Sequence, residues 1–149
     1  MCRAWCKYKT FDLDGAVEDF TKAIKLNKFN AESYTKRGMV KAFQLKYNEA
    51  LEDLNHALEM DSLNLHTLYQ LAYVHHELEN VDTALHYYSE MIRVDPETAV
   101  AYFERADILA ERGERDQAIE DYTMVIVLTG GHLLSYFNRG ILYFEQGRY

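Results

Sequence analysis

The sequence predicts an all-α fold, a solenoid of repeated helical hairpins, and three observations carry that expectation. Shifting the 149-residue chain against itself by 34 positions aligns whole columns of like residues. Inside each period the apolar positions recur at helical spacing. One proline, Pro96, and seven glycines leave too few turn formers for a many-turned β-sandwich.

The columns define the elements. Ala4, Gly38, Ala72, Ala106 and Gly140 form a set of small residues, and Tyr34, Leu68, Tyr102 and Tyr136 a set of large ones. Both lie in a first helix, predicted over 31–44, 65–78, 99–112 and 133–146. A small residue in mid-helix lets a neighbouring helix approach closely, which offsets the roughly 1 kcal/mol that a helical glycine costs against alanine. The second helix shows in Ala50, Leu51, Leu54, Ala57 and Leu58, one apolar stripe at i, i+1, i+4, i+7 and i+8. Its further columns are Ala16, Ala50, Ala84, Ala118, then Phe20, Leu54, Tyr88, Tyr122, then Ile24, Leu58, Ile92, Ile126. Asp14, Asn48, Asp82 and Asp116 hold only Asp or Asn where these helices begin, which predicts side-chain N-caps. Tyr34, Tyr88, Tyr102, Tyr122 and Tyr136 are expected to be packing residues. The array divides into a partial repeat over 1–30, full repeats over 31–64, 65–98 and 99–132, and the first helix of another over 133–149. Neither end carries the polar outer face of a terminal repeat, so the sequence reads as part of a longer array.

With 24 acidic against 16 basic residues the chain carries a formal charge of −8, which disfavours nucleic acid and anionic membrane as partners. No apolar run approaches the roughly 20 residues of a membrane helix, and 1–10 lacks the apolar stretch of a secretory signal, so a cytoplasmic location is expected. Cys2 and Cys6 sit four apart in a predicted helix, a poor disulfide geometry, and are expected to be reduced.

These patterns resemble the tetratricopeptide repeat family along the whole chain. The matching residues include Leu68-x2-Leu71-Ala72, Ala84-x3-Tyr88 and Pro96, and later Tyr136-x2-Arg139-Gly140-x2-Tyr143. Lys28, Ser62 and Gly130 depart from the family's proline, and Lys7, Lys41, His75 and Leu109 from its aromatic. The resemblance implies a right-handed superhelical solenoid of helix-turn-helix repeats whose concave face, lined by first helices, binds a peptide or another protein. On that face the candidate partner-binding groove is Tyr69, Tyr73, Phe103, Glu104, Asp107 and Phe137. Tyr69 and Tyr73 lie one turn apart, and Phe103 and Phe137 follow Tyr69 at the repeat period. The lysines and asparagines with which one subclass of the family grips chaperone tails have no counterpart in these columns. Charge points the other way: 65–98 holds one basic and six acidic side chains, and 99–132 holds three and seven. A protein segment with Lys or Arg between apolar residues fits such a groove.

No catalytic, metal or cofactor site is expected. His75, His76 and Glu77 with His66 are the best metal candidates, but adjacent helical side chains point about 100° apart, and no His-Glu-x2-His occurs. Gly130-Gly131 follows no strand and precedes no lysine, so it is not a phosphate loop. A structural spacer, or a recruiting arm for an enzyme domain elsewhere, is the alternative reading.

Two further patterns concern packing. Arg3, Arg37 and Arg105 stand where the family has leucine, each 16 residues before Asp19, Asp53 or Asp121. Where the arginine becomes Leu71, the later residue becomes Tyr87. This concerted switch predicts bidentate, partly buried ion pairs between the two helices of a repeat, with Leu71 on Tyr87 instead. The helix over 133–146 presents Tyr136, Gly140 and Tyr143 for packing without a following helix in the sequence, which predicts homo-oligomerisation through exposed terminal helices.

Overall fold

The computed structural model describes residues 12–147. Cys2, Cys6 and the expected Arg3–Asp19 pair lie outside the described residues. Eight helices run through them with no strand: α1 (Leu13–Leu26), α2 (Ala31–Phe43), α3 (Tyr47–Met60), α4 (Leu65–Glu77), α5 (Val81–Val94), α6 (Ala99–Glu111), α7 (Arg115–Thr129) and α8 (Leu133–Glu145). They sort into two compact units, α1–α3 ending at Ser62 and α4–α8 beginning at Leu63. The all-α helical-repeat fold expected from the sequence is the fold observed.

In the first unit α2 packs between α1 and α3. Gly38 sets the approach of α3: a Cβ on it would lie 2.9 Å from Leu54 Cγ and 3.1 Å from the Ala50 carbonyl oxygen. Ala50, Leu54 and Ala57 on the facing stripe are fully buried. The second unit repeats the arrangement with alanine in place of that glycine. Ala72 and Ala106 are fully buried, and Ala106, Leu109, Ala118, Ile119, Tyr122 and Leu142 form a continuous core from α6 through α7 to α8.

The turns between paired helices share one conformation. Leu45, Glu79 and Gly113, spaced at the repeat period, all have a positive φ of 60–80°, as does Gly147 one period on, after α8. The amide three residues past the last helical residue folds back onto the helix, as from Lys46 to Lys41 O and from Asn80 to His75 O, both 2.9 Å. Glycine adopts this left-handed geometry without strain; Leu45 and Glu79 adopt it at a cost.

The expected caps are corrected. The N-caps of α1, α3, α5 and α7 are Asp12, Lys46, Asn80 and Glu114, so Asp14, Asn48, Asp82 and Asp116 are each the second residue of their helix. Only Asp12 of these caps with its side chain, to Gly15 N at 2.7 Å. The column instead lies in the first turn, where a carboxylate meets the positive end of the helix dipole. It also accepts from a side chain 30 residues on: Gln44 Nε2 to Asp14 at 2.8 Å, Arg112 Nη1 to Asp82 at 2.6 Å, and Gln146 Nε2 to Asp116 at 3.0 Å.

The ion pairs form as the covariation predicts. Arg37 donates to both oxygens of Asp53 at 2.8 and 2.6 Å, and Arg105 to both oxygens of Asp121 at 2.7 and 2.8 Å. Both aspartates are 5% exposed, so these are desolvated pairs rather than surface ones. Each arginine is fixed on a third side. Its Nη1 donates to a hydroxyl 16 residues earlier, Thr21 at 3.1 Å for Arg37 and Ser89 at 3.0 Å for Arg105, and its guanidinium stacks on Tyr34 or Tyr102. Leu71 is fully buried, and Tyr87 lies stacked on the His75 ring with centroids 5.7 Å apart.

Of the expected packing tyrosines, Tyr88, Tyr102 and Tyr122 are buried, and Tyr34 is half-buried against His56. Tyr136 is corrected: it is 51% exposed, because no described helix packs on that side of α8.

Candidate functional site

The second unit sets α4, α6 and α8 side by side through their own side chains. Tyr69 and Tyr73 occupy successive turns of α4, while Phe103, Glu104 and Asp107 share α6. The Tyr69 hydroxyl donates to Glu104 Oε1 at 3.2 Å, joining α4 to α6. Asp107 Oδ1 accepts from Asn138 Nδ2 on α8 at 3.3 Å and from the Tyr122 hydroxyl on α7; Asn138 also reaches the Tyr122 oxygen at 3.2 Å.

Rings back this polar line. Tyr69 meets Tyr88 edge-on at 6.2 Å, and Phe103 meets Tyr122 at 6.0 Å and His132 at 5.2 Å. The Phe103 ring therefore packs partly inward. Phe137 on α8 is 64% exposed. Five of the six candidates thus lie on α4 and α6, with Tyr69 bonded to Glu104; Phe137 is placed on the neighbouring helix without a bond into that line.

Asn138 and the Tyr122 hydroxyl are not among the candidates that the sequence singles out. Tyr122 belongs to a packing column, and its ring is 1% exposed. Its hydroxyl nonetheless bonds to Asp107, a contact that column character alone does not reveal.

The electrostatics are one-sided. The two carboxylates, three residues apart on α6, receive their hydrogen bonds from the neutral donors Tyr69, Tyr122 and Asn138. Burial pushes the Glu104 carboxyl above the ordinary carboxylate range; the bond from Tyr69 and the nearby His76 oppose the rise, and the Asp107 charge adds to it. Burial and the Glu104 charge likewise raise the Tyr69 phenol, and burial and Glu77 raise that of Tyr73. Burial raises the Tyr122 phenol, and its bond to Asp107 raises it further.

Two clefts flank the line. One of about 410 Å3 between α6 and α8 is bordered by Asp107, Glu111, Tyr122, Asn138 and Ile141. The other, about 360 Å3 and mostly apolar, is lined by Leu65, His66, Tyr69, Met91, Thr98 and Val100. Among the described residues no group of three His, Cys, Asp or Glu side chains is arranged to hold a metal ion, and no helix is long and apolar enough to cross a membrane.

The eight helices, paired into hairpins at a fixed period, define a helical-repeat protein. Profiles described as tetratricopeptide repeat match residues 31–62 and 69–131, and the chain belongs to that family. No curated protein matches the sequence. Among solved structures, it is similar to MamA, with 25% identity over 99% of this chain and 86% of that one at a TM-score of 0.84. It also resembles YrrB, described as a TPR protein with an unusual peptide-binding site, with 26% identity over 92% and 71% of the two chains and a TM-score of 0.75. A tetratricopeptide repeat protein from Parabacteroides merdae shares the fold at 24% identity, over 91% of this chain and 54% of that one, with a TM-score of 0.83.

Proposed function

We propose that the chain is a protein-interaction scaffold that takes up a peptide or protein segment on the α4–α6–α8 face. The segment carries Lys or Arg between apolar residues. Tyr69, Tyr73, Phe103, Glu104, Asp107 and Phe137 are its contacts, joined by Asn138. The observation that carries this reading is the pair Glu104 and Asp107, two partly buried carboxylates hydrogen-bonded by neutral donors only. Burial raises the Glu104 carboxyl and the neighbouring Asp107 charge adds to the rise, and a bound cation offsets both. The apolar cleft beside Tyr69 accommodates an apolar neighbour of that cation. The peptide-binding description of YrrB is consistent with such use of the fold.

The test is fluorescence anisotropy with a labelled peptide alternating leucine and arginine. Glu104→Gln is expected to weaken binding about tenfold, as loss of one partner of a desolvated charge pair does. Affinity should be full at neutral pH and fall as pH drops through the raised Glu104 value, since protonation removes the charge; Glu104→Gln should flatten that limb. Equal affinity for a leucine–glutamate peptide would overturn the proposal.

A further inference from the structure

The first and last described helices, α1 and α8, are complementary to each other in side-chain chemistry. We propose that copies of this chain associate head to tail, α1 of one copy seating on α8 of the next.

The inside of the array supplies the template. In α2–α3 and α6–α7 the aspartate of the second helix chelates the arginine 16 residues earlier, and in α2–α3 the next large residue lies over the small residue of the first helix. Asp53 does so with Arg37, and Leu54 over Gly38; Asp121 does so with Arg105.

On α8 that arrangement is two-thirds built. Arg139 donates Nη1 to Thr123 Oγ1 at 2.8 Å and has Tyr136 and Tyr143 rings at 5.4 and 5.9 Å, the same hydroxyl and ring support that Arg37 and Arg105 receive. No carboxylate among the described residues pairs with it. Gly140, in the column of Gly38, has no atom within 4 Å of a Cβ built on it. Around it Tyr136 and Phe137 are 51% and 64% exposed.

On α1 the reciprocal half is present. Ala16, Asp19, Phe20 and Ala23 stand in the columns of Ala118, Asp121, Tyr122 and Val125, all of which are buried. Yet the Asp19 side chain is 79% exposed and bonded to Lys22 at 3.0 Å, itself exposed, while Ala16, Phe20 and Ala23 are only half-buried. Seated on α8 as α3 sits on α2, the second copy's α1 brings Asp19 to the open edge of Arg139 and Phe20 over Gly140. The contact uses different surfaces on the two copies, so it passes from copy to copy instead of pairing two of them symmetrically. Arg3 of the same chain stands in the arginine column, 16 residues before Asp19, and is the competitor for it that the charge pattern supplies.

Sedimentation velocity on the 149-residue chain, from about 1 to about 500 µM, the span of weak interfaces, tests this. Species at multiples of 17.5 kDa should grow with concentration. Arg139→Asp and Asp19→Arg, each checked for retained helicity by circular dichroism, should weaken association at least about tenfold by opposing like charges. Mixing the two variants should restore it, because the carboxylate introduced on α8 of one then faces the guanidinium introduced on α1 of the other. Arg3→Gln should strengthen it. A monomer at every concentration overturns the proposal. So does association unchanged by either charge reversal, or not restored by mixing. A monomer that binds a synthetic peptide of residues 46–61, which carries Ala50, Asp53 and Leu54, would assign α8 to a foreign helix and likewise overturn it.

Discussion

The hairpins α4–α5 and α6–α7 are neighbours built on one pattern, yet they solve the same packing position by opposite chemistry. In α6–α7, Arg105 is held by Asp121, Ser89 and the Tyr102 ring, and the residue one turn on is the apolar Leu109. In α4–α5 the arginine is Leu71, its acid is Tyr87, and Leu109 is replaced by His75, which stacks on Tyr87. The turns differ as well, Gly113 in one and Glu79 in the other at the same left-handed φ. The α2–α3 hairpin is a third solution, in which Lys41 at 3.0 Å joins Arg37 on Asp53. The residues at this position therefore change as a set. A lone charge there would be buried without a partner, which costs more than either complete set.

The largest expected effect comes from breaking one set. Asp121→Ala leaves Arg105, whose side chain is only 24% exposed, without its acid, and should cost about 3 kcal/mol in urea unfolding. Importing the neighbour's set, Arg105→Leu with Asp121→Tyr, should recover more than half of that loss. A double variant no more stable than the single one would show that the exchange depends on more than these positions. A smaller effect, with the opposite sign, is expected at the turn. Glu79→Gly gives α4–α5 the relaxed turn residue of α6–α7 and should stabilise by about 0.5–1 kcal/mol in the same measurement, the strain released exceeding the entropy lost.

The repeat makes most of the fold legible. Helix positions follow from columns, and the Arg37–Asp53 and Arg105–Asp121 pairs follow from a substitution that changes both members together. Illegible is whatever one residue type serves in two ways. Asp at a helix start suits the N-cap and the first turn alike, so the sequence sets the caps of α5 and α7 two residues late, at Asp82 and Asp116. The hydroxyl column of Thr21, Ser89 and Thr123 carries a signal, since each precedes its arginine by 16 residues as each aspartate follows by 16. In the candidate site, the Tyr69–Glu104 bond spans 35 residues and the Asp107–Asn138 bond 31, near one period but not on it. Column alignment groups equivalent residues; it does not report which inequivalent ones touch.

The smallest expected effect isolates the histidine. Burial holds the His75 imidazole below its ordinary pKa of 6.5, and its Nδ1 is buried without a hydrogen-bond partner. The folded chain thus binds this proton less readily than the unfolded one. The sign follows: the contribution is fully present above about pH 6.5 and is lost as pH falls through that value toward the lower folded one. His75→Leu, which installs the residue that α6 carries as Leu109, removes the titration. Comparing melting temperatures at pH 7.5 and 5.5, wild type should lose more on acidification than His75→Leu, because Leu cannot be charged against Tyr87. Equal losses would mean that His75 opens to water before it protonates, and that the stacked pair is no tighter than an exposed one.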